Sequence, residues 1–300
     1  MKYELDLSRP PFFKALVLPS EDGWQIRTLL RKHYNFSTGL IRQIKNHGVL
    51  HVNNTASSMV AKVKSWDHIA IFLSYECKIN PELLPLAVIY EDEDLLIVNK
   101  EAGQVVHPRH QHISGTLANA IAGYLDKKGE QPASYLINRL DRGTSGLLLA
   151  AKNPLAAWIL SNEINYMGKE YLALVSGVLE RESGSIDLPI KDPENGMKRL
   201  ISSEGKLART DYSLLQQYKE AALLRVSLKT GRTHQIRVHL SAIGHPLIGD
   251  DLYGEGNPFV SRPMLHAHFL SFYHPRTGQI CQGHAELPLE IKKVIKMYES

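Results

Sequence analysis

"LINRLDRGTSGLLLAAK", residues 136–152, places one carboxylate, Asp141, between two arginines and just ahead of an apolar run. The run predicts a buried strand, because its apolar residues are continuous and too few for a long helix. Gly143 and Gly146 frame a Thr-Ser pair, and glycines permit tight backbone geometry and close approach of a ligand. The stretch therefore predicts an acid held in a turn just before a buried strand.

The charge state of Asp141 is the chemical question that this stretch raises. Flanking guanidinium groups favour the ionised form of a carboxylate, and they also attract phosphate. Arg139 and Arg142 are therefore expected to keep Asp141 negative and to bind an anionic polymer around it. A surface ion-pair cluster of little energetic consequence is the alternative, and the spacing alone leaves both interpretations open.

A second long motif, "KTGRTHQIRVHLSAIGHPLIGDDLYG", spans residues 229–254. Arg232 falls in a predicted turn, and Arg237 falls inside a predicted helix among apolar residues. A partly buried arginine needs an acidic partner, and Asp141 is the expected one. A purely structural buried ion pair is the alternative.

Metal and nucleotide sites are not predicted. His234 and His239 are five residues apart, which is the wrong interval for one helix face. His107, His110 and His112 lie together in a loop that offers no nearby carboxylate or thiol, so zinc is disfavoured. The chain contains neither of the glycine-rich phosphate loops, and no cofactor is expected.

Composition indicates an ordinary globular protein of about two domains: 300 residues, 43% hydrophobic, 22% charged and a formal net charge of +4. Cys77 and Cys281 form no CxxC unit, so reduced thiols in a cytoplasmic protein are expected. Neither a signal peptide nor a membrane-spanning segment is predicted. We expect a monomer.

Charge is concentrated near the N-terminus. Between Trp24 and Trp66 the sequence has seven Lys or Arg residues and no Asp or Glu. Helical periodicity predicts one helix within residues 24–34 and a second starting at an N-cap on Ser37. The exposed cations expected on these helices are Arg27, Arg31, Arg42 and Lys45, which would give one basic surface.

The domain organisation follows from a change of pattern at the proline-containing segment "INPELLPLAV". We predict a small basic α/β domain at 13–76, a linker at 77–86 and a larger domain at 87–298. In the larger domain strands and helices mix without strict βαβ alternation. This favours an α+β fold with a mixed, mainly antiparallel sheet.

Taken together, these stretches resemble the RluA-type pseudouridine synthases. "INRLDRGTSGLLLAAK" is similar to the family's catalytic motif, and "VNKEAGQVVHP", "GKEYLALVSG", "GKLARTDY" and the 229–254 stretch match further segments of the family. The basic N-terminal segment resembles the S4-like RNA-binding domain that many members carry. The resemblance implies an enzyme that isomerises uridine to pseudouridine in structured RNA without metal or organic cofactor.

The resemblance also implies roles for single residues. Asp141 would be the catalytic aspartate, Tyr171 would pack against the flipped base, and Arg237 would pair with Asp141. Arg139 would fill the space that the flipped base leaves. Arg142, Arg232 and His234 complete the residues expected to contact RNA near the site.

Several points stay open at this stage. Ribosomal RNA of the large subunit is the expected substrate, with transfer RNA or a non-catalytic role in ribosome assembly as alternatives. A glycosidase-like hydrolase would need a second carboxylate, and we expect no other acid in these motifs. Asn138 and Glu101 depart from the family's usual His and Pro, and the former is not expected to abolish catalysis.

Overall fold

A small antiparallel sheet and two helices form the N-terminal part of the computed structural model, which describes residues 11–73, 79–108, 113–194, 196 and 198–299. The sheet order is β1-β4-β2-β3. Its strands are β1 Phe13–Leu16, β2 Gly48–Val52, β3 Thr55–Ala56 and β4 His68–Leu73, and its helices are α1 Ile26–Lys32 and α2 Thr38–His47. Asn53 and Asn54 join β2 to β3 with φ of 48° and 62°, as a two-residue hairpin requires.

Local sequence signals explain where α2 begins and ends. The Ser37 hydroxyl accepts a 3.0 Å hydrogen bond from the Leu40 N–H, which satisfies one unpaired donor of the first turn. At the other end a Cβ on Gly48 would lie 2.8 Å from the carbonyl oxygens of Ile44 and Phe72. Gly48 therefore allows the helix to turn directly into β2.

The predicted S4-like identity of this part, and its boundary at residue 76, stay predictions. The small sheet ends at Leu73, and residues 74–78, which include Cys77 and the start of the predicted linker, lie outside the described residues. The larger sheet begins at Val88, one residue after the predicted start of the second domain.

The larger sheet has ten strands among the described residues, in the order β10-β13-β14-β9-β15-β8-β6-β5, with β16 beside β15 and β7 beside β8. The strands are β5 Val88–Glu91, β6 Leu95–Lys100, β7 Tyr135–Leu136, β8 Ser145–Ala151, β9 Gly168–Ser176, β10 Ser183–Asp187, β13 Arg209–Gln217, β14 Ala221–Leu228, β15 Leu265–Tyr273 and β16 Ile280–His284. A separate short ladder joins β11 Ile190–Lys191 to β12 Leu200–Ile201.

Four α-helices accompany this sheet in the described part of the chain: α3 Leu117–Lys127, α4 Pro154–Asn162, α5 Gln235–Ala242 and α6 Leu289–Tyr298. The pairing of β15 with β8 is parallel, and the other ladders between these strands are antiparallel. The predicted α+β class with a mixed, mainly antiparallel sheet is confirmed. Among the described residues, no helix is both long and apolar enough to cross a membrane.

The register of the central strands decides which residues can meet. Ala267 in β15 pairs with Gly146 in β8 on one side and with Tyr171 in β9 on the other, and Tyr171 pairs in turn with Val226 in β14. Gly146 has φ of 112°, and a Cβ there would lie 2.2 Å from the Ala267 carbonyl oxygen. The absence of a side chain at Gly146 therefore permits this close approach of β8 and β15.

An acidic turn is tied to the β15–β16 hairpin at one end of the sheet. Arg276 donates hydrogen bonds of 2.6 and 2.8 Å to Asp94, and His274 contacts Asp92 at 3.0 Å. Asn153, which caps α4, also donates to Asp94. These acids are thus engaged in joining two distant turns of the chain.

Candidate active site

The loop that carries Asp141 is held by hydrogen bonds from three directions. The Thr144 N–H donates to the Asp141 carbonyl at 3.0 Å, which closes a turn just before β8. The buried Lys100 ammonium donates to the Arg142 carbonyl at 3.2 Å, and Arg262 donates to the Gly143 carbonyl at 3.1 Å. Backbone that is closed by its own turn and bonded to two other segments presents the Asp141 side chain in a fixed position.

The Asp141 carboxylate faces the start of α5. His234 Nε2 lies 3.8 Å and Arg237 Nη1 lies 4.0 Å from its Oδ2 atom, and the Asp141 side chain is 23% exposed. The acid is therefore reachable from solvent while a guanidinium lies beside it. The predicted proximity of Arg237 to Asp141 is confirmed, although at 4.0 Å the two groups make an ion pair rather than a hydrogen bond.

Arg139 and Arg142 flank Asp141 in sequence but do not pair with it in the structure. Both arginines are exposed, and within the described residues neither forms an ion pair with Asp141. The Arg142 guanidinium instead donates to the Gly103 carbonyl at 3.0 Å. Side chains adjacent in an irregular loop point to different sides, so adjacency in sequence did not produce contact in space.

The main partner of Arg237 is Asp250, which corrects the expectation that Asp141 fills this role and that the motifs contain no other acid. Arg237 Nε and Nη2 each donate to Asp250 at 2.7 Å, in a two-pronged contact. Asp250 is fully buried and also accepts backbone N–H groups of Leu252 and Tyr253 at 3.1 and 3.2 Å. Asp250 is thus fully engaged inside the protein and is not a second exposed carboxylate of the kind a hydrolase needs.

Tyr171 lies in β9 and is 7% exposed. Its ring packs in one cluster with Leu140, which precedes the acid, and with Ala267 of the neighbouring strand. Burial first, and the negative charge of Asp141 second, raise the pKa of the Tyr171 hydroxyl above its ordinary value. The hydroxyl therefore stays protonated at neutral pH and belongs to the electrostatic surroundings of Asp141.

His234 occupies a strained position at the N-terminal end of α5. Its φ is 59°, a left-handed conformation that non-glycine residues adopt at a cost and that clusters at functional sites. Its Nδ1 atom lies 3.0 Å from the Tyr253 hydroxyl, which also accepts the Arg199 N–H at 2.7 Å. Burial chiefly lowers the pKa of His234, so the imidazole is neutral at neutral pH.

Three residues of this site were not predicted from the sequence. Lys100 is 1% exposed and also donates to the carbonyls of Glu101 and Gln104, and burial lowers its pKa to about 8. Asp250 orients Arg237, and the Tyr253 ring lies 5.0 Å from the Arg237 guanidinium carbon. Two features of the sequence could have identified the first two of them. Lys100 ends a predicted buried strand, and Asp250 lies in the same motif as Arg237.

The remaining predicted residues are spread over the molecule. Arg232 is exposed, two residues before His234, and donates to the Leu207 carbonyl at 3.1 Å. The residues Arg27, Arg31, Arg42 and Lys45 are exposed on α1 and α2, and no described contact joins them to Asp141. His110 and His112 lie outside the described residues.

The two departures from the family pattern have separate local settings. Asn138 accepts the Leu149 N–H at 2.7 Å and donates to the Leu147 carbonyl at 3.3 Å, so its amide is used in binding the edge of β8. The Glu101 side chain is exposed. Neither side chain has a described contact with Asp141.

Comparisons with known proteins show the family to which the chain belongs. A family model described as RNA pseudouridylate synthase matches residues 94–242. An uncharacterized RNA pseudouridine synthase of Bacillus subtilis, YhcT, is 34% identical over 294 residues, which cover 96% of this chain and 97% of the relative. Ribosomal large subunit pseudouridine synthase D of Nitrosomonas europaea is 39% identical over 72% of this chain and 66% of that protein.

Among solved structures, human RNA pseudouridylate synthase domain containing 1 matches with a TM-score of 0.57 and 26% identity, over 73% of this chain and 96% of that chain. The similarity in sequence extends across nearly the whole length of the first relative, and the family model includes the Asp141 loop, β9 and α5. This chain therefore belongs to the RluA-type RNA pseudouridine synthases, which are isomerases.

Proposed function

We propose that this enzyme isomerises uridines of large-subunit ribosomal RNA and that Asp141 is the residue on which the chemistry depends. The observation that carries the proposal is the position of the Asp141 carboxylate, partly exposed and within 4.0 Å of Arg237 and 3.8 Å of His234. An acid that reacts with a nucleotide inside a polyanion needs such cationic or neutral neighbours rather than further acids.

The reaction makes few demands beyond positioning. The N1–C1′ bond of uridine breaks, a C5–C1′ bond forms, and the proton leaves C5 while N1 gains one. No group is oxidised or imported, so an ionised carboxylate and a group that moves the C5 proton are sufficient. We assign the first role to Asp141 and place Tyr171 against the flipped uracil ring.

Arg237 supports this role through charge. Its guanidinium is fixed by Asp250, so it does not move when the reaction begins, and a fixed charge stabilises a transition state without reorganisation. A uridine in folded RNA must first be extruded, at a cost of a few kcal/mol. Contacts of Arg139, Arg142, Arg232 and the basic helices with phosphates would offset that cost.

The choice of RNA is supported by the names of several relatives. Proteins described as ribosomal large subunit pseudouridine synthase D share 39%, 32% and 36% identity with this chain in three bacteria. We assign large-subunit ribosomal RNA on this basis. A monomeric enzyme in the cytoplasm stays our expectation for assembly and location.

The test is a single-turnover assay with purified protein and a transcript of large-subunit ribosomal RNA. Wild-type protein is expected to form pseudouridine, and Asp141→Asn is expected to form none while its affinity for the transcript stays within about twofold. Mass spectrometry of nuclease fragments locates the product. Full activity of Asp141→Asn would disprove the role of that residue.

The identity of the RNA substrate is tested separately. Pseudouridine formation in a transfer RNA pool but not in the ribosomal transcript would replace the proposed substrate and leave the role of Asp141 in place. Asp251→Asn serves as the matched control because Asp251 is exposed and makes no described ion pair with Arg237 or Asp141.

A further inference from the structure

Beside the Asp141 site lies a small pocket whose Asp192, Arg199 and Lys206 side chains have no part in the proposed chemistry. Its volume is about 140 Å³, close to that of four or five water molecules. Its lining consists of Ile190, Asp192, Arg199, Lys206, Gly231, Arg232 and Thr233. Three of these side chains are cationic and one is anionic, so the pocket has a net positive charge.

The single acid of this pocket occupies the place between two of its cations. Asp192 Oδ1 lies 3.0 Å from Arg199 Nε, and its Oδ2 atom lies 3.4 Å from Lys206 Nζ. The Asp192 and Lys206 side chains are 63% and 68% exposed. Exposed ion pairs contribute little stability, so an incoming anion can displace this carboxylate easily.

Arg199 is not well satisfied by that carboxylate. Its Nε atom is buried and has no hydrogen bond of good geometry in the described structure, although the carboxylate oxygen is near. A guanidinium forms its strongest contacts with a phosphate or carboxylate that approaches in its plane and accepts two parallel hydrogen bonds. The buried, poorly paired Nε–H is therefore suited to a second anionic ligand of better geometry.

The pocket is connected directly to the site. The Arg199 backbone N–H donates to the Tyr253 hydroxyl at 2.7 Å, and that hydroxyl lies 3.0 Å from His234 Nδ1. Thr233 lines the pocket, and the next residue, His234, lies 3.8 Å from Asp141. These contacts place Arg199 and Thr233 next to the residues that face Asp141.

We propose that Arg199, Lys206 and Arg232 bind a phosphodiester group of RNA next to the reacting uridine, and that Asp192 occupies this phosphate site when RNA is absent. Binding of RNA displaces the carboxylate from Arg199 and Lys206. Asp192 thereby weakens the binding of every RNA by the same factor and limits how long a product stays bound. The inference rests on the RNA pseudouridine synthase activity and is independent of which RNA is modified.

The experiment measures affinity for the large-subunit ribosomal RNA transcript between 50 and 300 mM KCl, with all variants in the Asp141→Asn background to prevent turnover. Asp192→Asn is expected to tighten binding by about three- to tenfold at low salt, because the competing carboxylate is gone, and the gain is expected to shrink as salt screens this exposed charge. Thermal unfolding confirms that each variant is folded.

Glu204→Gln is the matched control, because it removes one exposed negative charge close to the same short ladder, where Glu204 pairs with Lys191 of β11. Its affinity is expected to stay within twofold. Adding Arg199→Gln to Asp192→Asn is expected to abolish the gain, while the backbone N–H that holds Tyr253 remains. Equal affinities of Asp192→Asn and Glu204→Gln, or weaker binding of the former, would overturn the proposal.

This result is separable from the proposed substrate. If wild-type protein leaves the ribosomal transcript unmodified but Asp192→Asn still binds it more tightly than Glu204→Gln, the phosphate site stands and the substrate assignment fails. If the transcript is modified but the two variants bind alike, the substrate stands and the phosphate site fails.

Discussion

Arg237 donates two 2.7 Å hydrogen bonds to the fully buried carboxylate of Asp250. The same guanidinium reaches Asp141 only at 4.0 Å. Asp250 therefore sets the position of the cation, and the cation is left with one nitrogen directed at the proposed catalytic acid. Both partners are buried, so separating them would leave an unpaired charge inside the protein. The pair is therefore expected to keep its geometry.

Asp250→Asn is expected to lower both stability and rate. Breaking a buried ion pair by removing one partner costs about 3–5 kcal/mol, which urea unfolding measures. A misplaced guanidinium is expected to reduce the single-turnover rate at saturating RNA by about tenfold to a hundredfold, with little change in RNA affinity. Asp251→Asn is the control, because Asp251 is exposed. An unchanged rate in folded Asp250→Asn would contradict the positioning role.

Tyr171→Phe tests the hydroxyl apart from the ring. The ring stays buried, so stability is expected to change by less than about 1 kcal/mol. If the hydroxyl takes part in proton transfer, the single-turnover rate is expected to fall by about a hundredfold or more. Because the pKa of Tyr171 is raised, wild-type activity should show no loss from its ionisation below pH 10. Tyr212→Phe is the control, and a full rate in Tyr171→Phe would limit Tyr171 to packing.

His266 makes stability depend on pH. It lies 2.9 Å from the Ser145 hydroxyl, and burial lowers its pKa to about 4. Between pH 6.5 and 4 the unfolded state therefore binds more protons than the folded state. The stability that buried, neutral His266 contributes is lost as pH falls through this range. Between pH 7 and 5 the wild type is expected to lose about 1–2 kcal/mol more than His266→Gln in urea unfolding. The same change of unfolding free energy with pH in the wild type and in His266→Gln would refute this.

Gly146→Ala is expected to be strongly destabilising. The position has a left-handed φ of 112°, and the new methyl group would meet the Ala267 carbonyl at 2.2 Å. The expected loss is about 3 kcal/mol or more, since both backbone strain and a steric clash in the core contribute. Gly231→Ala, which has open space around it, is expected to stay within about 0.5 kcal/mol. Similar unfolding midpoints for Gly146→Ala and Gly231→Ala would contradict this, because they would show that β8 and β15 can move apart.

The basic surface of α1 and α2 is expected to contribute to binding and not to chemistry. Replacing Arg27, Arg31 and Arg42 by Gln should weaken RNA binding and reduce the salt slope by about 0.7 to 0.9 for each phosphate that is no longer bound. The rate at saturating RNA should not change. Replacement of the exposed Lys292, Lys293 and Lys296 of α6 removes the same charge elsewhere and should have a smaller effect.

Much of the fold was predictable because its signals are local. Ser37 capping α2, Asn53 and Asn54 turning a hairpin, and Asn153 with Pro154 starting α4 each depend on backbone groups within a few residues. The α+β class followed from the same patterns. The sequence alone also identified Asp141, Tyr171 and Arg237 as residues of one site, through their resemblance to a family.

The tertiary structure decided which side chains meet. Arg139 and Arg142 adjoin Asp141 in sequence but do not pair with it, whereas His234 and Arg237 arrive from a helix that starts more than ninety residues later. Asp250 could not be recognised as the partner of Arg237, because the contact depends on how the turn after α5 folds back. Periodicity and capping depend on nearby residues, but ion pairs between distant segments depend on sheet register and helix packing.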